Sequence, residues 1–167
     1  MSDLIISVSG LRGKVGETLT ASVVERYLTA YVQYLNEKQN PGHLVLAYDG
    51  RESGLGILEK IERTLDAHGI SYFTAGVAAT PTLGVLVRHQ KAAGGIQITA
   101  SHNPHPWNGL KLFSPEGRVL PKSEGERVKN LYAADSEMAA GNVAQRSDQI
   151  VLPSESPLLS GHPAGAS

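Results

Sequence analysis

No cysteine occurs in the chain, which removes disulfides, thiolate metal sites and cysteine nucleophiles from consideration. Neither sign of charge predominates. Fifteen Lys+Arg face sixteen Asp+Glu, a formal charge of −1, so no surface for nucleic acid or an anionic membrane is expected. Long hydrophobic runs are missing as well: no apolar stretch approaches the ~20 residues of a membrane span. The opening MSDLIISVSG has neither the basic start nor the long apolar core of a secretory signal. These absences lead to the expectation of a cytoplasmic protein with no nucleic-acid and no membrane partner. What is present is 41% hydrophobic and 19% charged over 167 residues. That balance fits one globular domain of ordinary size, burying roughly 70% of its unfolded surface.

Short apolar runs alternate with segments of helical periodicity. Leu4 to Val8 reads as a buried strand ending in the glycine-rich loop SGLRGKVG. Val23, Val24, Tyr27, Leu28, Tyr31 and Leu35 then recur at helical spacing, with Thr18 or Thr20 as the cap and Asn-Pro-Gly at 40–42 as the stop. LVLAY at 44–48 reads as a central strand followed by the loop DGRESG. Leu55, Leu58, Ile61 and Leu65 mark a second helix that ends at His68 and is closed by Gly69. Ile70 to Thr74 is a third strand, and Pro81 suits the first turn of a third helix through Gln90. Gly95 to Thr99 is a fourth strand, Leu110 to Phe113 an edge strand after an Asn-Gly turn, and Ser123 to Met138 a last helix. This alternation predicts an α/β fold of three layers, a mixed, mostly parallel sheet flanked by helices. Loops after the carboxyl ends of such strands gather on one edge and form the site. Here they are SGLRGKVG, DGRESG, AGVAATPT and TASHNPHPWNG. From Ala139 the chain is rich in Ser, Gly and Pro without periodicity. The domain is therefore expected over 1–138, with 139–167 a linker-like or truncated tail.

The loops taken one at a time leave alternatives open. Ser101 follows a small-residue run and stands beside His102 on a proline-stiffened loop; alone, it reads as a turn serine. A Ser-His-Asp hydrolase is disfavoured. Adjacent residues of an extended chain point to opposite faces, and the G-x-S-x-G elbow is absent. Arg12 sits between Gly10 and Gly13, either as a phosphate clamp or as a surface arginine in a flexible turn. Its loop matches neither G-x-x-x-x-G-K-[ST] nor G-x-G-x-x-G. Asp49, Arg51 and Ser53 suit a strand-end turn and a helix N-cap, a structural role favoured for Asp49 and Ser53. Lys111 is either an edge-strand gatekeeper or a proton shuttle aimed back over the serine loop.

The order of the loops is more specific than any of them. SGLRG, AYDGRESG, ATPT and GGIQITASHNPHPWNGLKLF, in that sequence, resemble the first domain of the α-D-phosphohexomutases. That family contains phosphoglucomutase, phosphomannomutase and phosphoglucosamine mutase, and T-A-S-H-N-P is its active-site signature. The resemblance runs from about Ile5 to Met138. It implies that Ser101 carries a phosphoryl group passed to and from a phosphorylated hexose, and that this phosphate is a ligand of Mg2+. It further implies that Arg12 neutralises charge beside the phosphoserine and that Lys111 assists proton transfer at the sugar hydroxyl. His102 matches a position close to the substrate, and Asn103 shapes the loop.

Two departures qualify the resemblance. SGLRG stands where many members have T-[DS]-G-[IV]-R-G, with the arginine and its flanking glycines intact. The family's magnesium is held by a second-domain loop of three aspartates, whereas the five here, Asp3, Asp49, Asp66, Asp135 and Asp148, are scattered. The resemblance thus implies an N-terminal fragment of a mutase interconverting hexose 1-phosphate and 6-phosphate, of the phosphoglucosamine or phosphomannose type, inactive alone. The alternative is a non-catalytic phosphosugar-binding or regulatory module. Because the family's first domain packs against its second, a homodimer or an association mediated by Ile150, Val151, Leu152, Leu158 and Leu159 of the tail is also expected.

Overall fold

A computed structural model of the chain describes residues 2–147. Its strands are β1 (Ile5–Ser7), β2 (Gly10–Lys14), β3 (Leu44–Tyr48), β4 (Tyr72–Val77), β5 (Gly94–Ile98) and β6 (Trp107–Phe113). They form one sheet in the order β1-β2-β6-β5-β3-β4. β3 pairs parallel with β4 and β5, while β1–β2, β2–β6 and β5–β6 are antiparallel. It follows that β2, β3, β4 and β5 all run one way and β1 and β6 the other. The sheet is mixed with most strands aligned, as the alternation of elements predicts.

Four helices complete the layers: α1 (Ala21–Glu37), α2 (Gly54–Ala67), α3 (Thr80–His89) and α4 (Lys122–Ser147). The Thr20 hydroxyl accepts from the Val23 amide at 3.3 Å and starts α1. Val24, Tyr27, Leu28, Tyr31 and Leu35 then lie buried along its inner stripe. Leu58, Ile61 and Leu65 do the same for α2, although Leu55 is 55% exposed and Ile57 takes the inward position. Gly69, at φ +68°, ends that helix in the left-handed region as anticipated. α1, α2 and α4 bury one sheet face against Leu44, Leu46, Ile96, Ile98, Leu110 and Leu112. The other face is covered in part by α3, where Leu83 and Val87 meet Val45, Ala47 and Phe113. These are the three layers.

Several local expectations are corrected. SGLRGKVG is not a loop: Gly10–Lys14 is strand β2, folded back on β1, and β1 itself is exposed to half-buried. Trp107–Phe113 is not an edge strand but lies between β2 and β5. Asn108 and Gly109 fall inside that strand instead of in a turn. The third strand starts later and runs through Val77. The last helix continues past Met138 to Ser147. Ala139-Ala140 favours continuation, and after Pro121 no proline occurs before Pro153 to stop it. The expected tail contacts of Ile150 through Leu159 lie outside the described residues.

Candidate functional site

β5 is buried at every position, and the chain stays buried through Ala100 before it surfaces at Ser101. Ser101 has φ +58°, a left-handed conformation few non-glycine residues adopt. Two short turns follow, closed by Asn103 N–H to the Ala100 carbonyl at 3.1 Å and by Trp107 N–H to the Pro104 carbonyl at 2.9 Å. The His105–Pro106 bond is cis, and the Pro106 carbonyl accepts from the Val15 amide at 3.0 Å, which ties the loop to the end of β2. In that loop His102 is exposed and Asn103 half-buried.

The loop is also held from the β3 side. The Ser101 amide donates to Thr99 Oγ1 at 3.0 Å, and that hydroxyl donates to Asp49 Oδ2 at 2.8 Å. Arg51 Nε donates to the same carboxylate oxygen at 3.2 Å. The guanidinium's two other nitrogens donate to the Ser101 carbonyl at 3.1 Å and the Trp107 carbonyl at 3.0 Å. Asp49 Oδ1 accepts the Arg51 amide at 3.2 Å, so the expected strand-end turn is present. Ser53 stands at the start of α2 but makes no side-chain cap; its hydroxyl accepts from Asn108 Nδ2 at 2.8 Å. Asn108 Oδ1 in turn accepts the Gly109 amide at 2.9 Å, which braces β6 where the serine loop returns.

Register places the cationic candidates. Leu11 is fully buried in the core, so Arg12 beside it projects from the opposite face. The same alternation applies to Lys111 between buried Leu110 and Leu112. Arg12 pairs across strands with Gly109, and Lys111 with Gln97. All four therefore share the face opposite α1 and α2. Arg12 is on a strand, not in a flexible turn, and Lys111 is not a guard on an edge. Gly109 is required: a Cβ there would lie 2.1 Å from the Leu11 carbonyl oxygen and 3.0 Å from Arg12 Cγ. The side chain of Arg12 thus lies across the glycine. Thr99 N–H donates to the Gly109 carbonyl at 2.9 Å, so the chain feeding Ser101 passes the other side of the same residue.

Electrostatically, the Arg51 charge is matched by Asp49. Among the described residues no ion pair joins Arg12 or Lys111 to a carboxylate. Two half-buried cations on one sheet face, without carboxylate partners, are suited to an anion. Gln97, fully buried opposite Lys111, donates from Nε2 to the Ala78 carbonyl and leaves Oε1 without a partner. A metal is a different matter. No group of three or more His, Asp or Glu able to hold one occurs among the described residues. The carboxylate tied to the serine loop, Asp49, is already engaged by Thr99 and Arg51. The side chains present do not by themselves fit a Mg2+ site.

The structure thus brings Arg12 and Lys111 to one face of the sheet, opposite Gly109 and Gln97 on the strands that lead out of and into the serine loop, and leaves His102 exposed. Asp49 and Arg51 enter the sequence reading through a strand-end turn; their second partners, about fifty residues along the chain, have no local signal.

Fold and site together define a three-layer α/β/α domain with a braced serine loop where β5 leaves the sheet. The chain belongs to the phosphoglucomutase/phosphomannomutase family: residues 4–139 match its alpha/beta/alpha domain I. It is 34% identical over 128 residues to a phosphoglucosamine mutase of Gloeothece citriformis, covering 76% of this chain and 26% of that protein. With a phosphoglucosamine mutase of Synechococcus sp. (strain RCC307) it is 35% identical over 122 residues, covering 72% and 26%. The crystal structure of a phosphomannomutase-type protein from Thermus thermophilus superposes with a TM-score of 0.72 at 30% identity, over 79% of this chain and 30% of that one. The chain therefore spans about a quarter of the length of these two curated relatives. No helix among the described residues is long and apolar enough to cross a membrane.

Proposed function

We propose that this chain supplies the phosphoryl-carrying domain of a cytoplasmic hexose-phosphate mutase, with Ser101 as the carrier. The observation that carries the reading is a braced, left-handed Ser101 just past the end of β5, with Arg12 and Lys111 on one face of the neighbouring strands and neither paired with a carboxylate among the described residues. Transfer of a phosphoryl group is mostly positioning and charge compensation, and this arrangement offers both. In the step envisaged, Ser101 Oγ attacks the phosphorus of a hexose bisphosphate in line. The Oγ–P bond forms as the bond from phosphorus to the sugar oxygen breaks. The serine gives up its proton and the sugar oxygen gains one, so the proton count is unchanged. Lys111 is the group assigned to that exchange, and Arg12 offsets the phosphoryl charge. His102, exposed in the loop, is assigned the role of a donor to the substrate.

The names of the relatives support hexose phosphates of the glucosamine or mannose type as substrates. Mg2+ is proposed as the metal of the complete site, with the Ser101 phosphate as one ligand and the remainder from a second domain, as the family resemblance implies; no step here is drawn through it. Since about three quarters of each curated relative has no counterpart in this chain, the domain alone is not expected to complete a catalytic cycle. The same fact favours a second reading, a phosphosugar-binding or regulatory module.

Incubation with glucose 1,6-bisphosphate, with and without Mg2+, followed by intact mass and site mapping separates the two. A single phosphate on Ser101, lost in Ser101→Ala, is the expected outcome. Covalent label on another residue would overturn the assignment. Calorimetric binding of hexose phosphate with no label at all would select the binding module.

A further inference from the structure

Both backbone polar groups of Ser101 are taken by one closed circuit. The amide goes to Thr99 Oγ1, Thr99 goes to Asp49, Asp49 receives Arg51 Nε, and Arg51 Nη2 returns to the Ser101 carbonyl. A further bond, from Arg51 Nη1 to the Trp107 carbonyl, fastens the far end of the loop to the same guanidinium. Arg51 therefore bridges the two ends of the segment from Ser101 to Trp107. Only a planar fork with several fixed N–H directions can do this; an ammonium on a flexible stem cannot hold three such acceptors at once. The conformation being held is one a serine does not choose unaided. In the left-handed region Cβ crowds the following carbonyl oxygen, so a serine persists there only where its surroundings impose it.

We propose that Arg51, with Asp49 and Thr99 as its supports, is a positioning residue that fixes Ser101 for phosphoryl acceptance, and is not itself a phosphate-binding arginine. The charge balance agrees with this division. Arg51 is neutralised by Asp49 and spends its N–H groups on carbonyls, whereas Arg12 on β2 has no carboxylate partner among the described residues. The importance for transfer rests on Ser101 being the carrier, but the strap is a property of the loop and is measurable without any transfer.

The test uses the full chain labelled with 15N and 13C. In the wild type, Ser101 shows the strong intraresidue amide-to-α-proton NOE of a positive φ and a slowly exchanging amide. In R51K and in T99V that NOE weakens and the Ser101 amide exchanges at least tenfold faster, while the amides of β3 and β5 keep their protection. R88K, on α3, changes neither. A Ser101 that keeps its NOE and its slow amide in both R51K and T99V overturns the proposal. So does a loss of protection throughout β3 and β5, which would make Arg51 a general fold residue. Phosphoryl labelling from glucose 1,6-bisphosphate is read separately. Where the wild type labels, R51K slows labelling at least tenfold with little change in the half-saturating donor concentration, and an unchanged rate overturns the positioning role. Where the wild type does not label, the NOE and exchange data alone decide the strap.

Discussion

Gly109 is the residue on which the site's geometry is most sharply tested. Its absent side chain lets the β2 backbone and the stem of Arg12 close over β6, and a methyl group there would stand 2.1 Å from the Leu11 carbonyl oxygen. Gly109→Ala should cost at least ~2 kcal/mol, because the obstacle is backbone that cannot swing away. Urea unfolding measures this directly, and a variant within ~0.5 kcal/mol of wild type would show that β2 and β6 separate more readily than their register implies. The serine loop itself was legible in the sequence, since T-A-S-H-N-P is contiguous and its residue types are distinctive. The strap was not. Asp49-Gly50-Arg51 has a complete local explanation as a turn, and that turn exists. What the local reading omits is the second set of partners, Thr99, Ser101 and Trp107, which only the parallel pairing of β3 with β5 brings alongside.

Among the elements, α1 carries the clearest pH signature. Tyr27, Tyr31 and Tyr34 all face the interior, and burial pushes each phenol above its ordinary value of 10.0. For Tyr34 a hydrogen bond with Glu124 adds to the shift. A group whose folded pKa is raised contributes its full stability below the unfolded pKa and loses it as pH climbs above that value. The fold should therefore hold to about pH 10 and then weaken steadily, with tyrosinate absorbance at ~295 nm rising together with loss of helical circular dichroism. Tyrosinate from these three residues appearing well before the helix signal falls would mean that α1 is not packed as described. The helices were the most legible elements, because their apolar stripes repeat along a single segment. β6 was misplaced for the opposite reason. Asn108-Gly109 is a strong hairpin signal on its own, but Asn108 is fully buried and bonded to Ser53 and to the Gly109 amide, so the pair is consumed inside a strand.

At the scale of the whole molecule, the sheet ends at β4, whose outer edge has no strand partner among the described residues. Phe73 and Val77 on that strand and Val85 on α3 are 46%, 64% and 53% exposed. An open edge flanked by apolar side chains can recruit a second copy of itself. We propose that the chain self-associates through this edge, with a concentration-dependent dimer in sedimentation equilibrium that Phe73→Lys abolishes. A version ending at Ser147 separates this from a tail-mediated contact: a dimer that survives the truncation belongs to β4, and one that disappears belongs to the tail. A monomer at every concentration in both lengths would remove self-association altogether.

The seating of β2 on β6 also constrains the birth of the protein. Arg12 and its partner Gly109 are separated by most of the domain, so β3, β4, β5 and three helices leave the ribosome before the strand bearing Arg12 has anywhere to bind. Until then β1 and β2 form an isolated two-stranded hairpin, which is marginal in water. The parallel trio can close early on neighbours already synthesised, whereas the connection joining β2 to the sheet must wait for the last strand. The arginine and the serine therefore come together late, and a half-made chain holds no assembled site.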